Sequence, residues 1–543
     1  MILKNSFNYL NEFFTFLNDR IRQYYLNSSL YNKKISKVSF NNLQYKPSPS
    51  LLECLIKYKK EKKNINDFLF NDIWKKENIS LKNYKNLHSF FWLFSLDLKS
   101  SKQDVQSVIL KWIEKYNDYN ISSWDIDILS KRTISWISNS KITYENSDEE
   151  YKNKFNEIIK KQINHLINEI NRSTWVDDKM IGCSAIVLTG ISYNDKNFLE
   201  YGFKLLQRII KMSFDKEGFP KSRNIRQLVF YIKYFVLIRE WLKESQNEIP
   251  EYLNEIIFYL GQSYVLVHKN LQHDFLFNGN HINENSGFDN YLKRLGYNFK
   301  NESFEAGGYI FLKDKKYCLA ADLGIPPEKE FSKDYQSGAL SFEFASNNNK
   351  IICNSGYFQN YKHQLNLISK STACHSCLNI ENTSSVSFLK HPSGINKINS
   401  PLKIFNKNIV NKNNYWCFEA SHNGYIKKFG ITHHRKVEFF HDVSKLSGED
   451  KILKKNNFKG SNYEIRFHLD PDAKVMKTLD GKSIFIGLKN EGWKFSSFNN
   501  NISFETGLYF GNKNNFVENQ NILISGNISK EETLIGWEIE KIK

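Results

Sequence analysis

The feature that most constrains this chain is a change of hydrophobic period late in its length. Between Tyr309 and Leu378 the apolar residues come in short runs, several of them alternating with a period of two: Tyr309 to Leu312, Leu319 to Gly324, Ala339 to Ala345, Ile351 to Gly356 and Ser371 to Leu378. Asn, Gly, Pro and Lys fill the gaps, which is the pattern of an antiparallel sheet. Upstream the spacing is helical. Val105, Val108, Ile109, Trp112, Ile113 and Tyr116 share one face of a helix opened by Ser100 or Ser101, and a longer stripe runs Phe155, Ile158, Ile159, Ile163, Leu166, Ile167, Ile170. A chain that switches period this late begins a second kind of domain.

Further helices are expected at Ile181 to Leu188, Phe198 to Met212, Leu228 to Leu242 and Tyr252 to Val267. Their short connections, at Gly190, Gly218 with Pro220, and Pro250, make consecutive helices antiparallel neighbours, so hairpins arranged in an arc or ring are expected. A plain helical solenoid fits the same pattern, without a repeat of fixed period. His273 to Glu305 is polar and reads as the boundary. From Glu305 onward strand signals recur at Tyr415 to Ala420, Lys436 to His441, Tyr463 to Leu469, Ser483 to Leu488, Ser503 to Phe510 and Asn521 to Ser525, which points to a large β-sandwich.

Composition narrows the function classes. Lys and Arg number 76 against 58 Asp and Glu, a net charge of +18, which suits a nucleic acid, a membrane surface or an acidic polymer. The lysines are spread along the chain with Asn and Ile, as an AT-rich genome would produce, and no basic segment interleaved with aromatics marks a nucleic-acid face. The seven cysteines are odd in number and scattered in apolar runs, so they read as small buried hydrophobes. Cys374-His-Ser-Cys377 has redox or zinc spacing but no second pair and no thioredoxin-like context. Met1 to Asn27, with Leu10, Phe13, Phe14, Phe16 and Leu17, reads as an amphipathic helix and not a signal peptide, and no run is long enough for a membrane span.

An ordered series of segments then resembles the heparinase II/III-like proteins. In the helical half these are Leu87-His-Ser-Phe-Phe-Trp-Leu93, Ser123-Trp-Asp-Ile-Asp127, Arg132 to Trp136 and Glu217-Gly-Phe-Pro-Lys-Ser-Arg-Asn224. In the sheet half they are Glu305 to Gly308, Asp322 to Pro327, Leu340-Ser-Phe-Glu343, Asn354-Ser-Gly356, Thr372-Ala-Cys-His375, Ser421-His-Asn-Gly-Tyr425, His433-His-Arg435 and Gly448-Glu-Asp450. The resemblance implies an α+β multidomain chain: an N-terminal (α/α) helical toroid followed by a C-terminal antiparallel β-sandwich. Residues 1–85 would extend the toroid, 86–295 form it, and 305–543 make the sandwich.

The activity so implied is a polysaccharide lyase's: β-elimination next to a uronic acid of an acidic glycan, in a cleft between toroid and sandwich. The reaction needs a neutraliser for the sugar carboxylate, a base for the C5 proton and an acid for the leaving oxygen. Carried over, Tyr425 is the expected proton-transfer residue, His375 and His422 its base or carboxylate partners, and Arg223, Asn224, His433, Arg435 and Glu217 substrate-binding residues. Core histidines and an interface tyrosine are the plain structural alternative for the sheet residues. The Asn280-His-Ile-Asn-Glu-Asn285 run looks like a substrate-contacting motif in the wrong context, a boundary loop.

The resemblance also implies a structural metal held by a His-x-His-x-Asp segment, an aspartate and a later histidine. Here those positions read Asp334-Tyr-Gln336-Ser-Gly338 and Asn354, leaving only His375, so no metal or other cofactor is expected. The missing histidines favour a second reading from another class, a non-catalytic glycan-binding or surface-polysaccharide assembly protein. The family implies the cell envelope or periplasm; the lack of a clear signal peptide implies the cytoplasm.

Overall fold

The computed structural model describes residues 14, 17–37, 42–55, 64–69, 71–74, 79–96, 101–268, 274–282, 287–389, 394–455, 460–498, 501–512 and 515–542. Leu10, Phe13 and Phe16 of the expected amphipathic helix, and Asn283 to Asn285 of the boundary run, lie outside them. The chain forms two compact units, Met1–Met212 with Tyr231–Ile257, and Ser213–Phe230 with Phe258–Lys543. The stretch from 258 to 305 thus falls in the second unit, and so does the segment carrying Arg223 and Asn224.

The first unit is helical. Ser101 caps the helix Lys102–Tyr116 by accepting from the Asp104 N–H, and the six residues of its predicted stripe are all buried. The helices Glu149–Glu169, Val176–Ser192 and Lys196–Ser213 enclose the remaining expected segments on this side. The tryptophan-rich segments meet around Arg132. Its Nη1 donates to the carbonyls of His88 (3.0 Å) and Ser123 (2.9 Å), Nε and Nη2 reach Gln162 Oε1, and the guanidinium lies 4.1 Å from the Trp112 ring. Phe90, in a left-handed conformation, packs edge-on against Trp112 and Trp136. These segments therefore build the core.

In the second unit a five-stranded antiparallel meander runs in sequence order from Glu305–Ala306 through Tyr309–Lys313, Tyr317–Asp322 and Phe342–Ser346 to Asn349–Ile352. An eight-stranded sheet has the order Lys474–Lys477, Ser483–Leu488, Glu491–Ser497, Glu532–Lys541, Lys445–Lys454, Ile431–Phe440, Tyr415–His422, Ile404–Lys412. A four-stranded sheet has Asn501–Tyr509, Val517–Ile528, Ser461–His468 and Leu378–Ile380. One apolar core joins all three, with Phe342 stacked on Trp537 (centroids 5.5 Å) and Phe467 against the same indole. Helices followed by antiparallel sheets is the fold class expected from the sequence.

Two local differences from the sequence reading have clear causes. Ser371 to Leu378 is not one strand: a 3-10 turn, Thr372–Cys374, precedes Leu378–Ile380, and the His375 N–H closes it on the Thr372 carbonyl at 3.0 Å. The polar Asn278-Gly-Asn280 is not solvated loop. Asn278 donates to Asp322 Oδ2 (3.1 Å) and accepts from the Gln336 N–H (3.0 Å), so its amide stands in for sheet partners and the segment is buried.

Candidate functional site

Alternation along one strand decides where the expected sheet residues go. In Ile431–Phe440 the inward positions are Ile431, His433, Arg435, Val437 and Phe439. The neighbouring strands bring His422 opposite His433 and Asp450 opposite Arg435. The result is a sealed polar chain. Gly424 N–H donates to His422 Nδ1 (3.1 Å), so the His422 proton is on Nε2 and goes to His433 Nδ1 (3.1 Å); His433 Nε2 in turn donates to Asp450 Oδ1 (2.6 Å). Arg435 grips both Asp450 oxygens at 2.7 and 3.0 Å and donates to the carbonyls of Leu340 and Ser376, while Trp537 Nε1 completes the carboxylate at 2.9 Å. Burial lowers the pKa of both histidines, and His433 and Arg435 add to it at His422. At Asp450, burial is outweighed by Arg435 and His433, which hold the carboxyl well below its usual range.

Tyr425 lies in the same core, its ring 5.6 Å from His422, with the hydroxyl donating to the Leu378 carbonyl at 2.8 Å. His375 is buried apart from them, its Nδ1 donating to the Ser371 carbonyl at 2.9 Å, and burial pulls its pKa to about 4. Tyr425, His375, His422, His433 and Arg435, expected to meet a substrate, are each buried in the second unit. The physical reason is register, since alternation assigns His433, Arg435 and His422 to the face of Val437 and Phe418.

The positions at which the family would hold a metal are spent on hydrogen bonds. Gln336 donates to the carbonyls of Gly356 (2.9 Å) and Ser369 (2.6 Å) and accepts from Gly279 N–H (3.0 Å). Asn354 accepts from Ser376 N–H and donates to Glu343. His375 Nε2 is a buried atom without a hydrogen-bond partner, packed beside Gly338. This donor set does not fit a metal ion.

The residues carried over from the helical half belong to a tight turn in the second unit. Asp215 Oδ1 accepts from the N–H groups of Glu217 (3.0 Å) and Phe219 (2.8 Å), Gly218 takes φ +73°, and Glu217 points outward as an exposed residue. Arg223, itself left-handed at φ +57°, is buried: Nε donates to Gly307 O (2.8 Å), Nη1 to Gly324 O (3.2 Å) and Nη2 to Asp322 Oδ1 (2.6 Å). Burial lowers its pKa, yet Asp322 and the tyrosines Tyr309 and Tyr335 outweigh that and keep the guanidinium charged. Arg223, expected as a sugar-acid anchor, here ties Gly307, Gly324 and Asp322 together and so anchors the fold.

Asn224 is different, because it joins a group that sequence reasoning missed. Its Nδ2 donates to Asp334 Oδ2 at 3.0 Å, and the other Asp334 oxygen accepts from Tyr361 (2.6 Å) and Tyr357 (3.2 Å). Gly279, at φ +78°, crosses so closely that a Cβ there would lie 2.6 Å from Asn224 Nδ2. Burial would raise the Asp334 pKa, but Lys333, Arg226, the Tyr361 hydroxyl and Lys370 overcome it and keep the carboxylate ionised. Tyr361, Arg226 and Lys333 are partly exposed. One buried carboxylate thus organises an amide, two phenols and three nearby cations. The sequence signal was Asp334 itself, an acid where the family places a histidine.

A helical region followed by antiparallel sheets is the fold of solved heparan sulfate lyases. Residues 298–538 match the Heparinase II/III-like, C-terminal family, and the chain carries that domain. Among solved structures it is similar to the heparan sulfate lyase HepC from Pedobacter heparinus (TM-score 0.66, 12% identity, covering 94% of this chain and 87% of that one). Heparinase III is similar to the same extent (TM-score 0.68, 13% identity, 94% and 88%). A comparison with curated protein sequences gives no match. Among the described residues no helix is long and apolar enough to cross a membrane.

Proposed function

We propose that the protein acts on an acidic, uronate-containing polysaccharide by β-elimination, with the group around Asp334 as its working site. The observation that carries this is that Asn224 and Tyr361 hydrogen-bond one buried carboxylate, whose ionised form is favoured by Lys333, Arg226 and Lys370. A sugar carboxylate bound beside Asp334 would have its charge offset by the same cations, which must happen before its C5 proton becomes acidic. Asn224 adds a neutral hydrogen-bonding group of the kind such a neutraliser uses. Burial and then Asp334 raise the Tyr361 pKa, so its phenol stays protonated and gives its proton to the leaving oxygen, while the ionised Asp334 takes the C5 proton and returns it to Tyr361 along their 2.6 Å hydrogen bond. Support also comes from the lyase scaffold and from the net charge of +18, which gathers a polyanion.

The experiment is incubation of the purified protein with a panel of uronate polysaccharides while following the ultraviolet absorbance of the unsaturated uronate that elimination creates. Growth of that signal with one polysaccharide, and its loss in Tyr361→Phe, is the expected result. A second reading, glycan binding without cleavage, is favoured by one observation: the five sheet residues carried over from the family are buried in the second unit. Retained binding with no absorbance change on any polysaccharide decides for it.

A further inference from the structure

In the first unit residues 17–26 form a helix held from the side of Arg22 and Leu26. Leu26 is buried, Arg22 pairs with Glu169 of the helix Glu149–Glu169, and Gln23 accepts from the Tyr119 hydroxyl at 3.2 Å. The next helix, Ser29–Ile35, is fixed in the same way: Tyr31 and Ile35 are buried, and the Tyr31 hydroxyl meets His165 Nδ1 at 2.8 Å. The opposite side of the first helix is apolar and faces solvent. Phe14 is 56% exposed, Leu17 43%, Ile21 59% and Tyr24 76%. At ~100° per residue these four fall within an arc of about 80°, roughly opposite Leu26 and Asp19. Such a stripe ordinarily faces a core, and four large residues on one face are more than the scattered single exposures of any surface.

The charge around the stripe selects what covers it. Between residues 14 and 37 the chain has five basic residues, Arg20, Arg22, Lys33, Lys34 and Lys37, and one acidic, Asp19. Asp19 lies on the far side of the helix from the stripe, whereas Arg20 borders it. In Ser29–Ile35 the 73% exposed Leu30 shares a face with Lys33 and Lys34, one turn on. A second copy of the chain would set cations against cations, with a net charge of +18 on each. The area is also short for it: the four stripe residues offer roughly 450 Å², against ~800 Å² per partner in a stable interface. An anionic lipid surface has the complementary charge and needs no matching shape, and tyrosine is a side chain suited to its boundary with water.

We propose that this face lays the chain on an anionic phospholipid surface, with Phe14, Leu17, Ile21 and Tyr24 seated at the boundary of headgroups and acyl chains and Arg20 and Lys33 against the phosphates. The attachment is peripheral, since among the described residues no helix is long and apolar enough to cross a membrane. It is independent of the reading of the Asp334 group, which lies in the second unit.

Vesicle flotation of the full chain tests it, with vesicles of phosphatidylglycerol mixed into phosphatidylcholine and vesicles of phosphatidylcholine alone. The wild-type protein is expected to float with the mixed vesicles, to lose most of that binding at high salt, and to float far less with phosphatidylcholine. Leu17→Ser combined with Ile21→Ser should weaken binding at least about tenfold at an unchanged melting temperature. Arg20→Gln with Lys33→Gln should remove the preference for anionic vesicles, while Ile21→Trp, which keeps the stripe apolar, should float as the wild type does. Flotation with neither vesicle overturns the proposal. So does equal flotation of the wild type and the Leu17 and Ile21 double variant, because binding would then rest on charge alone. A concentration-dependent dimer in sedimentation that the same double variant abolishes, with no flotation, overturns it in favour of a second copy on the stripe.

Discussion

Arg223 Nη2 and Asp322 Oδ1 are 2.6 Å apart, and both side chains are closed off from solvent. The same guanidinium ties the carbonyls of Gly307 and Gly324 and lies 4.5 Å from the Tyr309 ring centre, so one residue of the 213–230 segment holds the five-stranded sheet and its following loop. Asp322→Asn strands a buried cation, and Arg223→Ala strands a buried anion. Either change should cost about 3–5 kcal/mol, because the loss of one partner leaves an uncompensated charge. The double variant should cost less than the two added together. Urea unfolding of the four proteins checks this, and full additivity would show that the two do not act as a pair.

Acid should weaken the fold well before its carboxylates are protonated. Burial lowers the pKa of His88, His165 and His468 to about 3 and of His375 to about 4, against 6.5 for a free histidine, and it also lowers those of His422 and His433. The folded chain keeps these rings neutral while the unfolded chain protonates them below 6.5, so the unfolded state binds more protons and stability falls as pH falls. Each ring adds a slope of up to ~1.4 kcal/mol per pH unit. Asp178, raised to about 7 by burial, and Asp470, also raised by burial, run the other way, two groups against six. Melting temperature should therefore change little between about pH 7 and 8 and drop steeply between about pH 6.5 and 4. A level profile across that window contradicts the buried neutral assignment.

Metal chelation should leave the fold untouched, because Gln336 does with its amide what a cation would do by coordination. Its three hydrogen bonds join Gly279, Gly356 and Ser369, segments far apart in sequence. Excess EDTA is expected to leave the melting temperature unchanged. Gln336→Ala should cost about 2–4 kcal/mol by orphaning two carbonyls and an N–H. A chelator-induced drop in melting temperature would mean that a metal binds after all.

How much of this was legible follows the physics of each signal. Helices such as Lys102–Tyr116 could be read because six apolar residues and a serine cap agree on one face. The strand Ile431–Phe440 reads as strand in the sequence only from Lys436, so the period that sets His433 and Arg435 on the side of Val437 and Phe439 did not extend to them. Asp334, Tyr357 and Tyr361 were not legible together. They meet through a 3-10 turn and an irregular loop, where no period exists, and only the tertiary structure brings Asn224 to them. Asn278-Gly-Asn280 misled for a related reason, since loop composition and a buried, amide-bonded crossing look alike in sequence.

Two tyrosines separate the structural from the functional reading most directly. Tyr425 donates to the Leu378 carbonyl inside the core, whereas Tyr361 is partly exposed and donates to Asp334. Tyr425→Phe removes one buried hydrogen bond and leaves a carbonyl unpaired, a loss of about 1–3 kcal/mol in stability. It should leave any elimination activity within a few-fold of wild type, because the hydroxyl faces backbone. Tyr361→Phe removes the proton donor next to the cations, so activity should fall by about two to four orders of magnitude. Its melting temperature should change little, since Tyr357 and Asn224 still bond Asp334. Measuring both quantities on both variants gives a crossed result under this assignment. Loss of activity in Tyr425→Phe with retention in Tyr361→Phe would place the chemistry back at the buried histidines and require the core to open for it.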